Sequence, residues 1–442
     1  MENNHTIKSI KAREILDSRG IPTIEVELTT KLGSFFASVP SGTSKGKNEA
    51  KELRDGGKRY QGKGVLKAIE NVEKIIGTEL RGKDVTKQKE IDEMMIKLDG
   101  TKDKSRLGAN AILGVSLAVC RAGAEARNIP LYQYISQLTE TRSLPKLAES
   151  GSLSFLPKPC FLMIEGGTHA GNDLDFQEFM IMPREDRFSK NLETGTEIYH
   201  CLKEILEKEQ GKSSINVGLE GGFTPSLKFP EQALDLIVRA IDKAGYKDRI
   251  DIILDCAASQ FFSPLRRKFG SRSKDKKYKT QMGVFIKEGL LRYYSDLISK
   301  YPIIGLEDPF SEEDWQGFKQ ITKLAESGFL SVDRDPLSVI GDDLLTTNIE
   351  RVKKAIKENA CNSMIVKPNQ IGTVSETIEV VKYARENNFK IFVKHRSGET
   401  KDDFIADLAV GVGADGIMAG APARSERLAK YNRLLKIEEE LK

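Results

Sequence analysis

Along the second half of the chain, short apolar runs end in charge again and again. "RIDIILDC" carries Asp255 at its end, "YPIIGLED" carries Glu307, and "LSVIGDDL" carries Asp342 and Asp343. "NSMIVKPNQIG" reaches Lys367 and "FKIFVKHRSGE" reaches His395 and Arg396, whereas "ADGIMAGAP" stops at Met418 without a charge. Apolar, β-branched runs without polar alternation predict strands buried on both faces. Between them lie stretches of helical period, such as "NIERVKKAIKENA" and "TVSETIEVVKYARENN". Thr347 and Asn348 suit a cap for the first, and Thr373 with Glu376 suits a capping box for the second.

Strand then helix, at intervals of roughly 25–50 residues, predicts a parallel (β/α) barrel. All strand ends of such a barrel open on one face, so charges at successive ends converge. Asp255, Glu307 and Asp342 are then expected to share a pocket. Three carboxylates repel one another unless a divalent cation lies between them, and oxygen-only ligands favour Mg²⁺ over Zn²⁺. The alternative reading is three separate caps and loop acids. Lys367, followed by Pro368, stands at a strand end where a neighbouring cation would favour its neutral amine. Such a lysine can take a proton from a carbon next to a carboxylate while the metal holds the enolate.

The first part of the chain reads differently. "TIEVELTT" and "FFASVP" alternate like strands of an antiparallel sheet, and "AILGVSLAVCRAGAEA" is a small-residue helix suited to close packing. In "TEIYHCLKEILEK" the helical period sends His200 and Cys201 to different faces, which argues against a nucleophile–base pair.

Composition narrows the class without choosing a function. The 442 residues suffice for two domains, with 39% hydrophobic and 30% charged residues as in an ordinary globular protein. A net charge of +4 from 69 basic and 65 acidic residues argues for neither nucleic acid nor membrane surface. Five scattered cysteines, Cys120, Cys160, Cys201, Cys256 and Cys361, form no CxxC pair and are expected to be reduced. With no apolar leader or 18-residue apolar stretch, a cytoplasmic location is expected.

Long segments resemble one family. "AREILDSRGIPTIEVELTT", "GKGVLKAIENV", "LGANAILGVSLAVCRAG", "HAGNDLDFQEFMIMP", "EDPF", "HRSGET", "FIADLAVG" and "GAPARSERLAKYN" together resemble the enolases, glycolytic dehydratases of 2-phosphoglycerate. The resemblance implies the fold class α/β, a small N-terminal α+β domain at residues 1–147 followed by an enolase-type (β/α)8 barrel at residues 148–442. It implies Lys367 as the base at C2 and Glu220, in "NVGLEGGF", as the acid for the leaving hydroxyl. Asp255, Glu307 and Asp342 would bind the first of two Mg²⁺, and Ser44, in the lid "PSGTSKG", the second. The lid segment by itself also reads as an ordinary Ser/Gly connector. His169, Gln177, Glu178, Glu307, Asp342, His395 and Met418 would line the substrate pocket, and Arg396 with Ser397 would hold the phosphate. The implied partner is a small phosphorylated acid. Arg13 and Glu14 match a segment at the family's subunit interface, so a homodimer or higher homo-oligomer is expected.

Several positions depart from the family pattern. Met418 stands where the family has a lysine beside the substrate carboxylate, and Leu219 where it has Asp. Glu165 replaces an Asn, Lys394 replaces a Ser, and "GFLSVDRDPLSV" lengthens the approach to Asp342. Lys394, on the strand before Met418, is expected to supply the charge that Met418 lacks, the alternative being a solvated rim residue. Two further readings remain open: an enolase-like binding or scaffold protein without turnover, and a related lyase acting on another acid.

Overall fold

The computed structural model describes residues 4–43, 45–140, 156–263, 277–328 and 336–442. Strands β1 (Ser9–Leu16), β2 (Pro22–Thr29) and β3 (Ser34–Ser38) pair antiparallel in that order, as their alternation predicts. Val26 and Leu28 turn their buried side chains toward the helix Ala109–Ala126. At Gly114 of that helix an added Cβ would stand 2.7 Å from Val26 Cγ2, so the small-residue stripe is what permits the close approach.

The barrel begins with β4 (Lys158–Glu165), β5 (Glu178–Pro183) and β6 (Ile250–Asp255). A small antiparallel sheet follows, made of β7 (Phe262–Ser263), β8 (Lys277–Thr280) and β9 (Gly283–Ile286). The barrel then continues through β10 (Ile303–Glu307), β11 (Ser338–Gly341), β12 (Ser363–Val366), β13 (Lys390–Lys394) and β14 (Gly416–Met418), which closes against β4. β5 runs antiparallel to both of its neighbours and the remaining pairs are parallel. The barrel therefore departs from an all-parallel (β/α) arrangement at its second strand. The expected domain boundary after residue 147 lies outside the described residues.

Two of the expected caps act where the sequence places them. Asn348 accepts from the N–H groups of Glu350 and Arg351 to start the helix Ile349–Glu358. Thr373 accepts from Glu376 N–H and donates to its carboxylate, starting Val374–Glu386. Thr347 is not a cap: its hydroxyl donates to Gln370 and accepts from Lys367 N–H, tying two loops of the barrel mouth together. The N-terminal part reaches the same mouth. Ser41 and Gly398 exchange backbone hydrogen bonds at 2.8 and 2.9 Å, and Arg121 holds Asp402 with two of its nitrogens. Four cysteines are buried and Cys201 is half-buried, all of them free thiols, and His200 points to solvent.

Candidate active site

The parallel register brings the strand ends level. Glu307 of β10 lies beside Asp255 of β6, which in turn pairs with Glu178 of β5. One cavity, of about 450 Å³ including its mouth, opens there. Its walls carry the acids Glu49, Glu178, Glu220, Asp255, Asp308, Asp342 and Asp343, and the cations Lys367, Lys394 and Arg396. His169, Gln177, His395 and Ser397 complete the expected set, so most of the residues implied by the resemblance line one space. Glu307 is wholly buried behind that wall, and Met418 is 1% exposed and not part of the lining. Ser44 lies outside the described residues, while its neighbour Lys45 pairs with Glu52 at 2.8 Å.

The acids are not grouped as the sequence suggests. Lys394 Nζ stands 2.8 Å from both oxygens of Glu307 and 3.1 Å from Asp255 Oδ2. Glu178 Oε1 is also 3.1 Å away. Asp342 is drawn off separately: it pairs with Lys367 Nζ and accepts from Gln370 Nε2 at 2.9 Å. A divalent ion on Asp255, Glu307 and Asp342 does not fit this arrangement, because the lone pairs it needs already face two ammonium groups. Among the described residues, two other sets bring donor atoms within 4.8 Å of one another: Asp308, Asp342 and Asp343, and His169, Glu178 and Glu220. The first set is an acidic group able to hold a metal ion.

Asp308 answers why an acid follows Glu307. Its carboxylate accepts from the N–H of Asp342 at 3.0 Å and of Asp343 at 2.7 Å, shaping the turn after β11. Its own φ is +40°, a left-handed conformation open to Asp. Burial, then the charge of Asp342, pushes the Asp343 carboxyl up to about 7.

Lys367 differs from its expected state. Burial favours the neutral amine, but the adjacent Asp342 outweighs it and raises the pKa, so the free cavity holds an ammonium. A cation was the expected neighbour of this lysine; the nearest charge is instead a carboxylate.

In the same cavity, Glu220 Oε2 is 3.0 Å from His395 Nε2, and His169 Nδ1 is 3.4 Å from Glu220 Oε1. The turn carrying Glu220 rests on Glu165, whose Oε1 accepts from the N–H of Glu220 at 3.0 Å and of Gly222 at 2.7 Å. Gly218 must be glycine here, since a Cβ would come within 2.3 Å of Glu165 Oε2. Leu219, half-buried on the turn, contributes through its backbone: its N–H donates to the His169 carbonyl and its own carbonyl accepts from Arg427. Burial first, then the charge of Glu220, lifts the Glu165 carboxyl to about 8.

At the other end, Arg396 donates to Glu49 through both terminal nitrogens, at 2.9 and 3.2 Å, and to Asn369. Ser397 Oγ accepts from Thr43 N–H at 2.8 Å, docking the segment before Ser44 onto the cavity. Sequence reasoning missed Glu49, Asp308, Gln370 and Arg427 as parts of the site. Arg427 stood inside the quoted "GAPARSERLAKYN", and its total burial is the signal that no linear pattern displays.

Comparison with known proteins places this geometry. Residues 7–135 match the profile "Enolase, N-terminal domain" and residues 153–442 match "Enolase, C-terminal TIM barrel domain". The chain is 50% identical to an enolase of Mastigamoeba balamuthi over 439 residues, covering 99% of this chain and 96% of that one. It is 52% identical to enolase B of Dictyostelium discoideum over 444 residues, 99% and 95% of the two chains. An enolase of the archaeon Thermococcus kodakarensis is 48% identical over 445 residues, 100% and 96%.

Proposed function

The chain belongs to the enolase family, and we propose that it performs the family's reaction with Lys367 and Glu220 as its acid–base pair. The activity is that of a phosphopyruvate hydratase, a lyase of glycolysis that interconverts 2-phosphoglycerate and phosphoenolpyruvate. The observation that supports these roles is one cavity lined by Lys367 and Glu220 together, with Arg396 and Ser397 beside them.

In dehydration the C2–H bond breaks and its proton passes to Lys367 Nζ. The electron pair enters the carboxylate as an enolate, then forms the C2–C3 double bond as the C3–O bond breaks. Burial raises the Glu220 pKa, but His395 and His169 outweigh it and hold the free group as a carboxylate, so Glu220 must take up a proton as substrate binds; that proton then accompanies the departing hydroxide, and water leaves. In hydration the order reverses, and the ammonium held by Asp342 is the proton donor ready at C2. Dehydration therefore needs substrate binding to free the Lys367 amine from Asp342. His169 is buried, and among the described residues neither ring nitrogen makes a hydrogen bond, the 3.4 Å approach to Glu220 aside, so the ring is available to a substrate group. Arg396, a planar guanidinium already engaging a carboxylate, suits a phosphate, which would compete with Glu49 for the same donors.

Magnesium, expected at two positions, would supply charge at the substrate carboxylate. Asp255 and Glu307 hold Lys394 instead, so the residues present do not fit an ion between them. A homodimer is proposed from the match at Arg13 and Glu14, whose side chains bond to Glu25 and Glu27 and to Arg59. A cytoplasmic place accords with the absence, among the described residues, of a helix long and apolar enough to cross a membrane.

Formation of the absorbing enol phosphate from 2-phosphoglycerate tests the reading directly. Wild-type turnover with inactive Lys367→Ala and Glu220→Gln is the expected result. Turnover of a non-phosphorylated acid in place of 2-phosphoglycerate would overturn it.

A further inference from the structure

Lys394 sits in a cage of acids. Four carboxylate oxygens, from Glu307, Asp255 and Glu178, surround its Nζ at 2.8–3.1 Å, and all four side chains are buried. That is a cation site, with spacing set for hydrogen bonds; Mg²⁺ would bring oxygens to about 2.0–2.1 Å. Lys394 lines the cavity, whereas Glu307, bonded to its Nζ, does not and is 0% exposed. A divalent ion bound between Asp255 and Glu307 would have to occupy the place of Nζ. Placing both there would set +2 against +1 at contact distance in a buried site.

The neighbouring strand explains how a lysine can stand here. Lys394 is in register with Met418 of β14, whose buried thioether carries no charge. A lysine at both positions would point two ammonium groups inward from adjacent strands, about 4.8 Å apart at the backbone. The two departures from the family pattern are therefore one exchange. A cation is lost from β14, and another appears on β13, directed at the carboxylates on the far side of the barrel.

We infer that Lys394 is a built-in monocation that takes the place of one divalent ion between Asp255 and Glu307. It satisfies those carboxylates permanently and removes their affinity for metal. The inference concerns ion binding in the substrate-free protein and does not depend on turnover.

Mn²⁺ binding to the purified full chain, counted by electron paramagnetic resonance and calorimetry, tests it. Lys394→Ser should bind one more Mn²⁺ per chain than wild type, with at least tenfold higher affinity at the new site. Adding Glu307→Gln should abolish that extra ion, which assigns it to this cluster rather than to Asp308, Asp342 and Asp343. Equal stoichiometry with affinities within a factor of two in wild type and Lys394→Ser would overturn the inference, as would an extra ion that survives Glu307→Gln. Should Lys394→Ser unfold without metal, Mn²⁺ should restore its melting transition and that of the uncharged Lys394→Gln. Failure of millimolar Mn²⁺ to raise either transition above the wild-type response would also overturn it.

Discussion

Arg427 donates to His395 Nδ1 at 2.7 Å, and this leaves Nε2 to carry the imidazole proton toward Glu220, 3.0 Å away. Arg427 is wholly buried and also donates to the carbonyls of Leu219, Arg396 and Ser397. One side chain thus fixes a tautomer and holds the two loops that carry Glu220 and Arg396.

Burial pushes the His395 pKa down to about 3; the pull of Glu220 is upward, and Arg427 opposes it. His395 is then neutral throughout pH 5–8, and wild-type turnover should show no loss from its titration there. In Arg427→Met the opposing charge is gone, so the His395 pKa rises. The variant should lose kcat on acidification across a range where wild type is flat. A pH profile of the two proteins, with folding checked by circular dichroism, decides it; parallel profiles would leave Arg427 a purely structural role.

Lys367→Ala should lower kcat by about three orders of magnitude, the middle of the range for removing a positioned base. Its melting temperature should also drop, because among the described residues Asp342 then keeps only Gln370 as a side-chain donor in a buried setting. Turnover above a few per cent of wild type would remove Lys367 as the base.

Glu220→Gln should lose dehydration while still exchanging the C2 proton of 2-phosphoglycerate with solvent. In the proposed order Lys367 acts first and Glu220 second, so the earlier transfer should survive. Deuterium incorporation followed by nuclear magnetic resonance reads it, and joint loss of exchange and dehydration would point to a concerted elimination.

Glu165 gives a stability prediction with a defined pH window. Its folded pKa of about 8 lies above the ordinary 4.5, so between these values the folded chain keeps a proton that the unfolded chain releases. Stability therefore falls as pH rises through that window. Glu165→Gln can still accept from Glu220 and Gly222 N–H but cannot ionise. It should match wild type below about pH 4.5 and exceed it by on the order of a few kcal/mol at pH 8, since each tenfold change in proton affinity is worth about 1.4 kcal/mol. Denaturant unfolding at the two pH values measures this, and an equal difference at both would mean that ionisation is not the cause.

Much of the barrel was legible because burial on both faces writes itself as an unbroken apolar run. The run from Ile303 to Leu306 can end in Glu307 only where the barrel opens, and the caps Asn348 and Thr373 act on N–H groups two or three residues ahead. Such signals are local, so the chain alone placed Asp255, Glu307, Asp342 and Lys367 at one end of one barrel. Which charge meets which was decided by tertiary structure. A lysine head sits at the end of four rotatable carbons, and Lys394 reaches acids 87 to 216 positions earlier in the chain because the barrel closes them around it. Asp342 turned to Lys367 rather than to Glu307, and the protonation of Glu165 and the tautomer of His395 followed from partners far away in sequence. Electrostatic energy in a buried site depends on distances of a few ångströms between such groups, and those distances exist only in the folded chain.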